Sequence, residues 1–219
     1  MTGRRLRALR MDLGLTQAEA ARRWGLSQPY VSLVEQGRRP VPDRLVAALA
    51  PPVVLAGERH QRTSTDLGVA LGNLGYPGFR YLANGRRVDP VVVVLEALRA
   101  DDVSPRVLRA LPWVLAHHAD LDWPRLLPQV KALTLQNALG FLASLARRLA
   151  MRDGRAAVVE RLREVERELE EVRLVRERSL GRRLAEAEAR HVRAHRSALA
   201  RHWRVLSELT VDDVATAAA

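Results

Sequence analysis

Cysteine is absent from the 219-residue sequence, and aromatic residues make up only 4% of it. Without cysteine, disulfides and thiolate metal sites are excluded, and the composition suits a reducing cytosol. Because aromatic residues are few, we expect aliphatic, helical cores. No stretch approaches the roughly 18 apolar residues of a membrane span. The arginine-rich start MTGRRLRALRMD also lacks the apolar core of a signal peptide. We therefore expect a cytoplasmic protein without a membrane segment.

Lysine is also scarce, since every basic residue except Lys131 is an arginine. The 36 basic and 25 acidic side chains leave a formal net charge of +11. Such an excess favours a polyanionic partner such as nucleic acid over a small neutral substrate. The planar guanidinium of arginine also suits phosphate better than the lysine ammonium does. A GC-rich genome would produce an arginine-rich chain as well, so this alternative stays open.

The sequence shows no residue set with catalytic spacing, and we expect neither an enzyme nor a bound cofactor. Paired carboxylates, a nucleophile with its base, and a phosphate-binding loop are all missing from the pattern. Gly72, Gly75 and Gly78 are three residues apart, which matches neither the dinucleotide-binding fingerprint nor a P-loop.

Two groups of histidines resemble metal ligands only superficially. The first group straddles the end of a predicted helix and comprises His117, His118, Asp120 and Asp122. Such residues are ordinary at a helix end. His191 and His195 lie one helical turn apart, but HVRAH lacks the glutamate of the zinc-protease motif and contains arginine. We therefore expect structural or surface histidines and no metal site.

Local signals in the first fifty residues predict two short helices joined by a tight turn. Thr16 followed by Glu19 forms a capping-box pattern that starts one helix. Gly25 supplies the left-handed turn that ends this helix. Ser27 can cap the next helix, which runs to Gln36 before a glycine. Two short helices joined in this way make a helix-turn-helix.

The run GLTQAEAARRWGLSQPYVSLVEQGRRP resembles the phage-repressor and Cro (XRE-type) family of helix-turn-helix DNA-binding domains. The resemblance covers residues 1–50 and implies that helix 27–36 enters the major groove of double-stranded DNA. It implies base contacts from Gln28, Pro29, Ser32 and Leu33. Pro29 and Leu33 depart from the more polar members, because they cannot donate hydrogen bonds and could only contact thymine methyl groups or exclude water.

Contacts to DNA phosphates are expected from five residues in or next to the two helices. They are Thr16, Gln17, Tyr30, Arg38 and Arg39. Such contacts set affinity and register without specifying sequence. Glu35 in the last turn of its helix opposes the helix dipole and needs a cation. Arg10 is the candidate, and this pair matches the buried interhelical pair of the family, so we expect scaffold residues.

The rest of the sequence also predicts helices, and we expect an all-α fold with a second helical domain. The predicted organisation is a DNA-binding domain at 1–50, a linker or ordered loop at 51–87, a helical domain at 88–154, long charged helices at 155–205 that are candidates for dimerisation, and an acidic tail at 206–219. We expect this tail to fray.

A coiled-coil pattern runs through the first of the charged helices. Val158, Leu162, Val165, Leu169 and Val172 alternate spacings of four and three, which is the seam of a coiled coil. About two heptads are clean, which is too short for a stable isolated coiled coil. A helix docked within one subunit and a dimer strut both remain open, and we favour the dimer because repressors of this type bind two half-sites.

Two functions follow from these predictions. The first is a dimeric transcriptional repressor that binds a palindromic operator at the nucleoid. The second is an antitoxin whose C-terminal helices neutralise a partner protein and whose DNA binding is autoregulatory. Segments such as YPGFRYLANGRR and RHWRVLSELT resemble an uncharacterised helical extension of bacterial regulators. Some of these regulators accompany nucleotidyltransferase-type toxins, which would be the partner in the second case.

Overall fold

The computed structural model describes residues 3–12, 15–42, 45, 64–118 and 121–218. These residues are mostly helical with two short strands, so the predicted all-α fold is confirmed. The chain divides into two compact units. The first unit comprises Met1–Glu58 with Leu127–Thr134, and the second comprises Arg59–Leu126 with Leu135–Ala219.

In its described residues the first unit contains the short helices α1 (Gly3–Asp12), α2 (Gln17–Trp24) and α3 (Gln28–Glu35). They enclose a small core in which the buried side chains are Leu6, Ala20, Ala21, Trp24, Val31, Val34, Val41 and Leu45. The alanines keep α2 thin, so the backbones approach closely. The start of α1 lies so near the end of α3 that a Cβ on Gly3 would fall 1.8 Å from the Val34 carbonyl oxygen. A glycine is therefore required there.

The second unit is larger and contains most of the remaining helices. They are α4 (Ser64–Asn73), a 3-10 helix (Pro77–Leu82), α5 (Pro90–Arg99), α6 (Pro105–His117), α8 (Gln136–Arg152), α9 (Ala156–Glu170), α10 (Glu186–His195), α11 (Ala198–His202) and α12 (Val211–Ala218). Helix α7 (Trp123–Ala132) contributes residues to both units. Strands β1 (Arg178–Ser179) and β2 (Val205–Leu206) pair in parallel, with Arg178 opposite Val205.

Helix α8 is the centre of the second unit, because most of its residues are buried. Helices α6, α9 and α12 pack around it. The indole of Trp203 lies against Gly140, where a Cβ would fall 2.3 Å from the ring. Trp203 Nε1 donates a 2.9 Å hydrogen bond to Ser144 Oγ, one turn farther along α8. A small residue and a hydroxyl on one face of α8 therefore seat the indole.

Residues 64–82 lie in the segment that the sequence indicated to be a linker or ordered loop, yet they form α4 and the 3-10 helix. The glycines of this segment explain the difference. A Cβ on Gly72 would fall 2.4 Å from the Phe79 carbonyl oxygen, and one on Gly68 would contact the Phe79 and Leu82 side chains. The glycines allow the 3-10 helix to pack on α4, and they do not break the helix.

The chain end is also more ordered than the sequence indicated. The expectation that residues 206–219 fray is wrong for Val211–Ala218, which form α12. Thr210 and Asp213 form a capping box, in which the Asp213 amide donates to Thr210 Oγ1 and the Thr210 amide donates to Asp213 Oδ2. Val214 is fully buried. A cap and one buried apolar side chain hold this helix on α6 and α8.

The coiled-coil seam of α9 is used within the chain. Leu162, Val165 and Leu169 are buried, and α9 packs on α8. Arg147 on α8 forms a bidentate ion pair with Glu166 on α9, with the Nε to Oε1 distance at 2.6 Å. The central residues of the seam are therefore covered by the same subunit, which is the docked alternative. Dimerisation through residues 155–205 stays a prediction that would need another surface.

Candidate nucleic-acid interface

Both ends of α2 are fixed by caps, and the second cap begins the turn to α3. At the start of α2 the Glu19 amide donates to Thr16 Oγ1 at 3.2 Å, and the Thr16 amide donates to Glu19 Oε2 at 2.8 Å. The hydrogen bonds that the Glu19 carboxylate accepts from the Thr16 amide and from the Thr16 hydroxyl lower its pKa. Gly25 ends α2 in the left-handed conformation, at φ 62°. Both signals are confirmed, and they set the direction in which the chain enters α3.

Helix α3 begins with a cap and a proline. Ser27 Oγ accepts a hydrogen bond from the Tyr30 amide. Pro29 occupies the first turn, where amides have no partner within the helix and a missing N–H costs little. Val31 and Val34 are fully buried on the inner face of α3. The opposite face is therefore the one that an external ligand can reach.

A buried ion pair joins the end of α3 to α1. Arg10 Nε donates to Glu35 Oε1 at 2.6 Å and Arg10 Nη2 donates to Glu35 Oε2 at 3.0 Å. The Gln17 amide donates to Glu35 Oε2 at 2.9 Å, and Arg10 Nη1 donates to the Leu15 carbonyl at 2.8 Å. The side chains of Arg10 and Glu35 are 9% and 3% exposed. The predicted pair is present, and together with Gln17 it links α1, α2 and α3.

The electrostatics of this pair favour both charged forms. Burial of Glu35 raises its pKa, but hydrogen bonds from Arg10 and Gln17 outweigh the burial and leave the pKa below its ordinary value. The hydrogen bond to Glu35 in turn raises the pKa of Arg10, against the effect of burial. A bidentate pair between a guanidinium and a carboxylate is among the stronger polar contacts in proteins. It therefore acts as a fixed brace beneath α3.

Amide and hydroxyl side chains form a stripe along the outer face of α3. Gln28, Ser32 and Gln36 are spaced by four residues, so they lie on one face of the helix. Gln28 and Gln36 are exposed and Ser32 is half-buried. Gln36 Nε2 donates to Ser32 Oγ at 3.1 Å. We call Gln28, Ser32 and Gln36 the amide stripe. Such groups can donate to and accept from base edges.

Two exposed arginines follow α3 directly. Arg38 and Arg39 come after Gly37, which adopts φ 75°. The amides of both arginines donate to the Leu33 carbonyl, at 2.9 and 3.3 Å. The backbone of this turn is therefore held against the end of α3, while the guanidinium groups face solvent. Two positive charges next to a polar helix face suit a polyanion.

Comparison with known proteins agrees with this geometry. Residues 2–53 match the model of a family described as a helix-turn-helix domain. The N-terminal segment is a helix-turn-helix domain. A curated relative from Cereibacter sphaeroides, named a propionyl-CoA carboxylase regulator, is 40% identical over 76 residues. That alignment covers 32% of this chain and 16% of the relative, so the chain matches only a small part of the relative's length. No solved structure matches.

The residues expected to contact phosphates occupy different environments in the helix-turn-helix domain. Thr16 is exposed and its hydroxyl is used in the cap. Gln17 is half-buried and spends one N–H on Glu35. An amide has two N–H donors, so a second one remains for a phosphate. The Tyr30 hydroxyl donates to the Pro40 carbonyl at 3.3 Å, so a phosphate would have to compete with that bond. Their phosphate contacts stay predictions.

The residues expected to contact bases are also placed by the helix-turn-helix domain. Gln28 and Pro29 are exposed in the first turn of α3, and Ser32 and Leu33 are half-buried one turn later. Their contacts to bases stay predictions. Gln36 is an addition to this predicted set, because the sequence pattern marks it only as the end of the helix. Its spacing of four from Ser32 was the available signal.

The histidines near residue 117 have their own partners in the second unit. His117 stacks on Trp113 with ring centroids 4.2 Å apart, and its Nδ1 lies 3.0 Å from the Trp113 carbonyl oxygen. Burial lowers the pKa of His117. His118 Nε2 lies 3.1 Å from the Leu74 carbonyl oxygen. Asp120 lies outside the described residues. The two rings therefore serve the packing of α4 and α6.

Among the described helices, none combines the length and the apolarity that a membrane span requires.

Proposed function

We propose that the protein is a sequence-specific DNA-binding transcriptional regulator that uses α3 as its recognition helix. The observation that carries this proposal is the amide stripe on a helix that is braced by the Arg10–Glu35 pair. An α-helix fits the major groove of B-form DNA, where amides can bond adenine at two atoms. The regulator name of the Cereibacter sphaeroides relative supports the same function. The partner is then double-stranded DNA, at the nucleoid in the cytoplasm.

Charge provides the affinity in this proposal. Arg38 and Arg39 are exposed where the chain leaves α3, so each can neutralise a backbone phosphate. Phosphate contacts position a protein on the duplex, and base contacts specify the sequence. The amide stripe supplies polar groups for bases, whereas Pro29 and Leu33 beside it offer apolar contacts. Specificity therefore depends on Gln28, Ser32 and Gln36 more than on their apolar neighbours.

The finer form of the proposal is a homodimeric repressor on a palindromic operator. Helix α3 has eight residues and spans only a few base pairs, so two copies would provide the specificity that one lacks. Two helices of this kind bind half-sites about one helical turn apart, roughly 34–36 Å. The dimer contact would use a surface other than the buried seam of α9. The chain itself is not an enzyme in this proposal.

An antitoxin function for the second unit is the alternative from the sequence. It assigns neutralisation of a toxin-like partner protein, of the nucleotidyltransferase type, to the helices beyond the helix-turn-helix domain. No contact of the described residues favours it over the regulator, so it stays a prediction from the sequence.

The decisive experiment is selection of binding sites from a random DNA library with the full chain, followed by Gln28→Ala on the selected site. We expect a symmetric site, and for the variant an affinity loss of roughly 5- to 150-fold on it, which corresponds to about 1–3 kcal/mol for one base contact. The loss on random DNA should be much smaller. Equal losses on both DNAs would contradict base recognition by Gln28, and failure to enrich any site would contradict the proposal.

A matched pair of arginines tests the phosphate contacts. Arg39→Ala should make the log–log dependence of affinity on salt shallower by about 0.9. Arg161 is also an exposed arginine, on α9 in the second unit. Arg161→Ala should therefore leave the slope unchanged. A similar change in both variants would show a general charge effect without a defined contact at Arg39.

A further inference from the structure

Three metal-ligating side chains meet on the surface of the second unit. They are His191 and His195 of α10 and Glu208, which follows β2. One ligand atom from each lies within 4.8 Å of the others. His191 Nε2 is 3.8 Å from Glu208 Oε1, and the two imidazole centroids are 4.2 Å apart. Within the described part of the chain, this is the one group of three such residues found.

The fold brings these residues together from two elements. His191 and His195 are four residues apart on α10, so both face the same side. Val192 between them is buried and anchors the helix. Strand β2 pairs with β1 and also packs against α10. The chain leaving β2 therefore carries Glu208 to the histidine face, although Glu208 is distant from His191 in sequence.

One hydrogen bond already orients a candidate ligand. His195 Nδ1 lies 2.8 Å from the His191 carbonyl oxygen. A proton on Nδ1 satisfies that contact and leaves the lone pair on Nε2. Histidines that bind metals commonly donate their other ring N–H to a carbonyl or a carboxylate in this way, which fixes the tautomer and the ring orientation. This contact leaves Nε2 of His195 as the nitrogen that can bind a metal ion.

Nearby arginines would repel a cation, but a carboxylate offsets two of them. Glu177 Oε2 accepts from Arg193 Nε at 2.9 Å, and Glu177 Oε1 accepts from Arg196 Nη2 at 2.5 Å. Burial of Glu177 raises its pKa, but these two arginines outweigh the burial and lower the pKa overall. Glu177 therefore stays ionised and reduces the positive field next to the three ligands.

We propose that His191, His195 and Glu208 bind a divalent transition-metal ion such as Zn²⁺. Two imidazole nitrogens and one carboxylate oxygen are a donor set that zinc accepts, and a solvent molecule can complete four-coordination. Bond lengths of about 2.0–2.1 Å in a tetrahedron place neighbouring donors about 3.3 Å apart. Small side-chain rotations close the present 3.8 Å separation of His191 Nε2 and Glu208 Oε1. The nitrogen donors select against Mg²⁺ and Ca²⁺, which prefer oxygen.

Binding would connect α10 to the segment between β2 and α12. All three ligands are exposed, so an ion can reach them from solvent. An ion that binds only the folded arrangement stabilises it by mass action. Zinc should therefore raise the melting temperature of the full chain.

The test is calorimetric titration of the full-length protein with ZnCl₂, with MgCl₂ as the reference ion. We expect one zinc site and no magnesium site. His191→Ala and Glu208→Gln should each weaken zinc binding by at least about tenfold. His202→Ala is the matched control. His202 is also exposed, and its Nε2 lies 2.8 Å from the carboxylate of Glu170. This pair offers two metal donors, one fewer than the proposed site. This variant should bind as the wild type does.

A second readout separates a specific site from general attraction of zinc to histidine. Zinc should raise the melting temperature of the wild type and of His202→Ala. It should leave the melting temperature of His191→Ala unchanged. The absence of a one-to-one zinc site in the wild type would overturn the proposal. Equal binding by the wild type and His191→Ala, or a loss caused by His202→Ala, would overturn it as well.

Discussion

The helix-turn-helix domain and the larger second unit bury polar side chains in different chemical forms. The helix-turn-helix domain buries an ion pair, Arg10 with Glu35, and joins it to Gln17. The second unit buries neutral groups around α8. Asn137 accepts from the Leu174 amide at 2.8 Å and donates to the Leu174 carbonyl at 3.0 Å.

The difference follows from the part of the fold that each set of buried polar side chains has to position. Among the described residues, the core of the helix-turn-helix domain has eight buried apolar side chains, so helix orientation depends on a few directional contacts. An ion pair is directional, and removal of one partner leaves a buried charge that costs about 3–5 kcal/mol. The second unit is organised around a nearly fully buried helix, and its amide groups only fasten a passing loop. Loss of a neutral partner costs about 1–3 kcal/mol.

Glu35→Ala should give the largest effect, because it strands the buried Arg10. We expect the helix-turn-helix domain to lose about 3–5 kcal/mol, a large part of the 5–15 kcal/mol that holds a typical domain. Hydrogen exchange measured by peptide mass spectrometry reports each unit separately. Peptides from α2 and α3 should exchange much faster, whereas peptides from α8 should keep their protection. Unchanged protection in α3 would contradict the bracing role.

A double variant separates charge from packing in that experiment. Arg10→Met with Glu35→Leu removes both charges and keeps apolar volume, and replacements of this kind are often neutral or stabilising. We expect protection in α2 and α3 to recover in large part. DNA affinity should recover less, because the Gln17 amide would lose its acceptor on Glu35. If the double variant is as unstable as Glu35→Ala, packing of the side chains and not a stranded charge explains the loss.

Asn137→Ala should give an intermediate effect in the second unit. The variant leaves the amide and the carbonyl of Leu174 without their present partner, at a cost of about 1–3 kcal/mol. Urea unfolding followed by circular dichroism measures this loss. Asn84→Ala is the matched control, because Asn84 Oδ1 also accepts hydrogen bonds, from Asn73 Nδ2 and the Arg86 amide, but at an exposed position. Water can replace the lost acceptor there, so the loss should be smaller. Equal losses of stability at both positions would contradict the expectation that burial makes the Asn137 hydrogen bonds the more important ones.

The sequence was informative where the signals are local. The capping box at Thr16 and Glu19, the turn at Gly25 and the cap at Ser27 each involve residues within a few positions of one another. The Arg10–Glu35 pair was predicted because a carboxylate at the end of a helix demands a cation. The same kind of signal was present at Thr210 and Asp213, but a short acidic chain end with few apolar residues was interpreted as frayed.

Longer-range contacts could not be derived in this way. The glycines of α4 resemble loop residues until the packing of Phe79 on them is known. The seam of α9 fits a partner helix from the same chain or from a second copy, and only the position of α8 distinguishes them. Glu208 reaches His191 through a parallel pair of two-residue strands, which is too short to leave a pattern. The candidate metal site was therefore invisible in the sequence, although both histidines were noted.

The smallest effect is expected from the capping box of α12, and it should depend on pH. The hydrogen bond from the Thr210 side chain lowers the pKa of Asp213, against the effect of burial. A carboxyl group with a lowered pKa stabilises the fold above its unfolded pKa of about 3.9. This contribution is lost as the pH falls through the lower pKa of the folded state, because the protonated carboxyl lacks the same acceptors.

Thr210→Ala should thus lower the free energy of unfolding by about 1 kcal/mol at neutral pH, a typical value for a cap. Urea unfolding should show that the difference in free energy of unfolding between wild type and Asp213→Asn becomes smaller from pH 7 to pH 3. A difference that is independent of pH would mean that the carboxylate charge does not contribute.

Glu19 belongs to the same motif at the start of α2, and hydrogen bonds from Thr16 also lower its pKa. The difference in free energy of unfolding between wild type and Glu19→Gln should therefore also become smaller as the pH falls. The two units would then share one capping chemistry, although their buried polar groups differ.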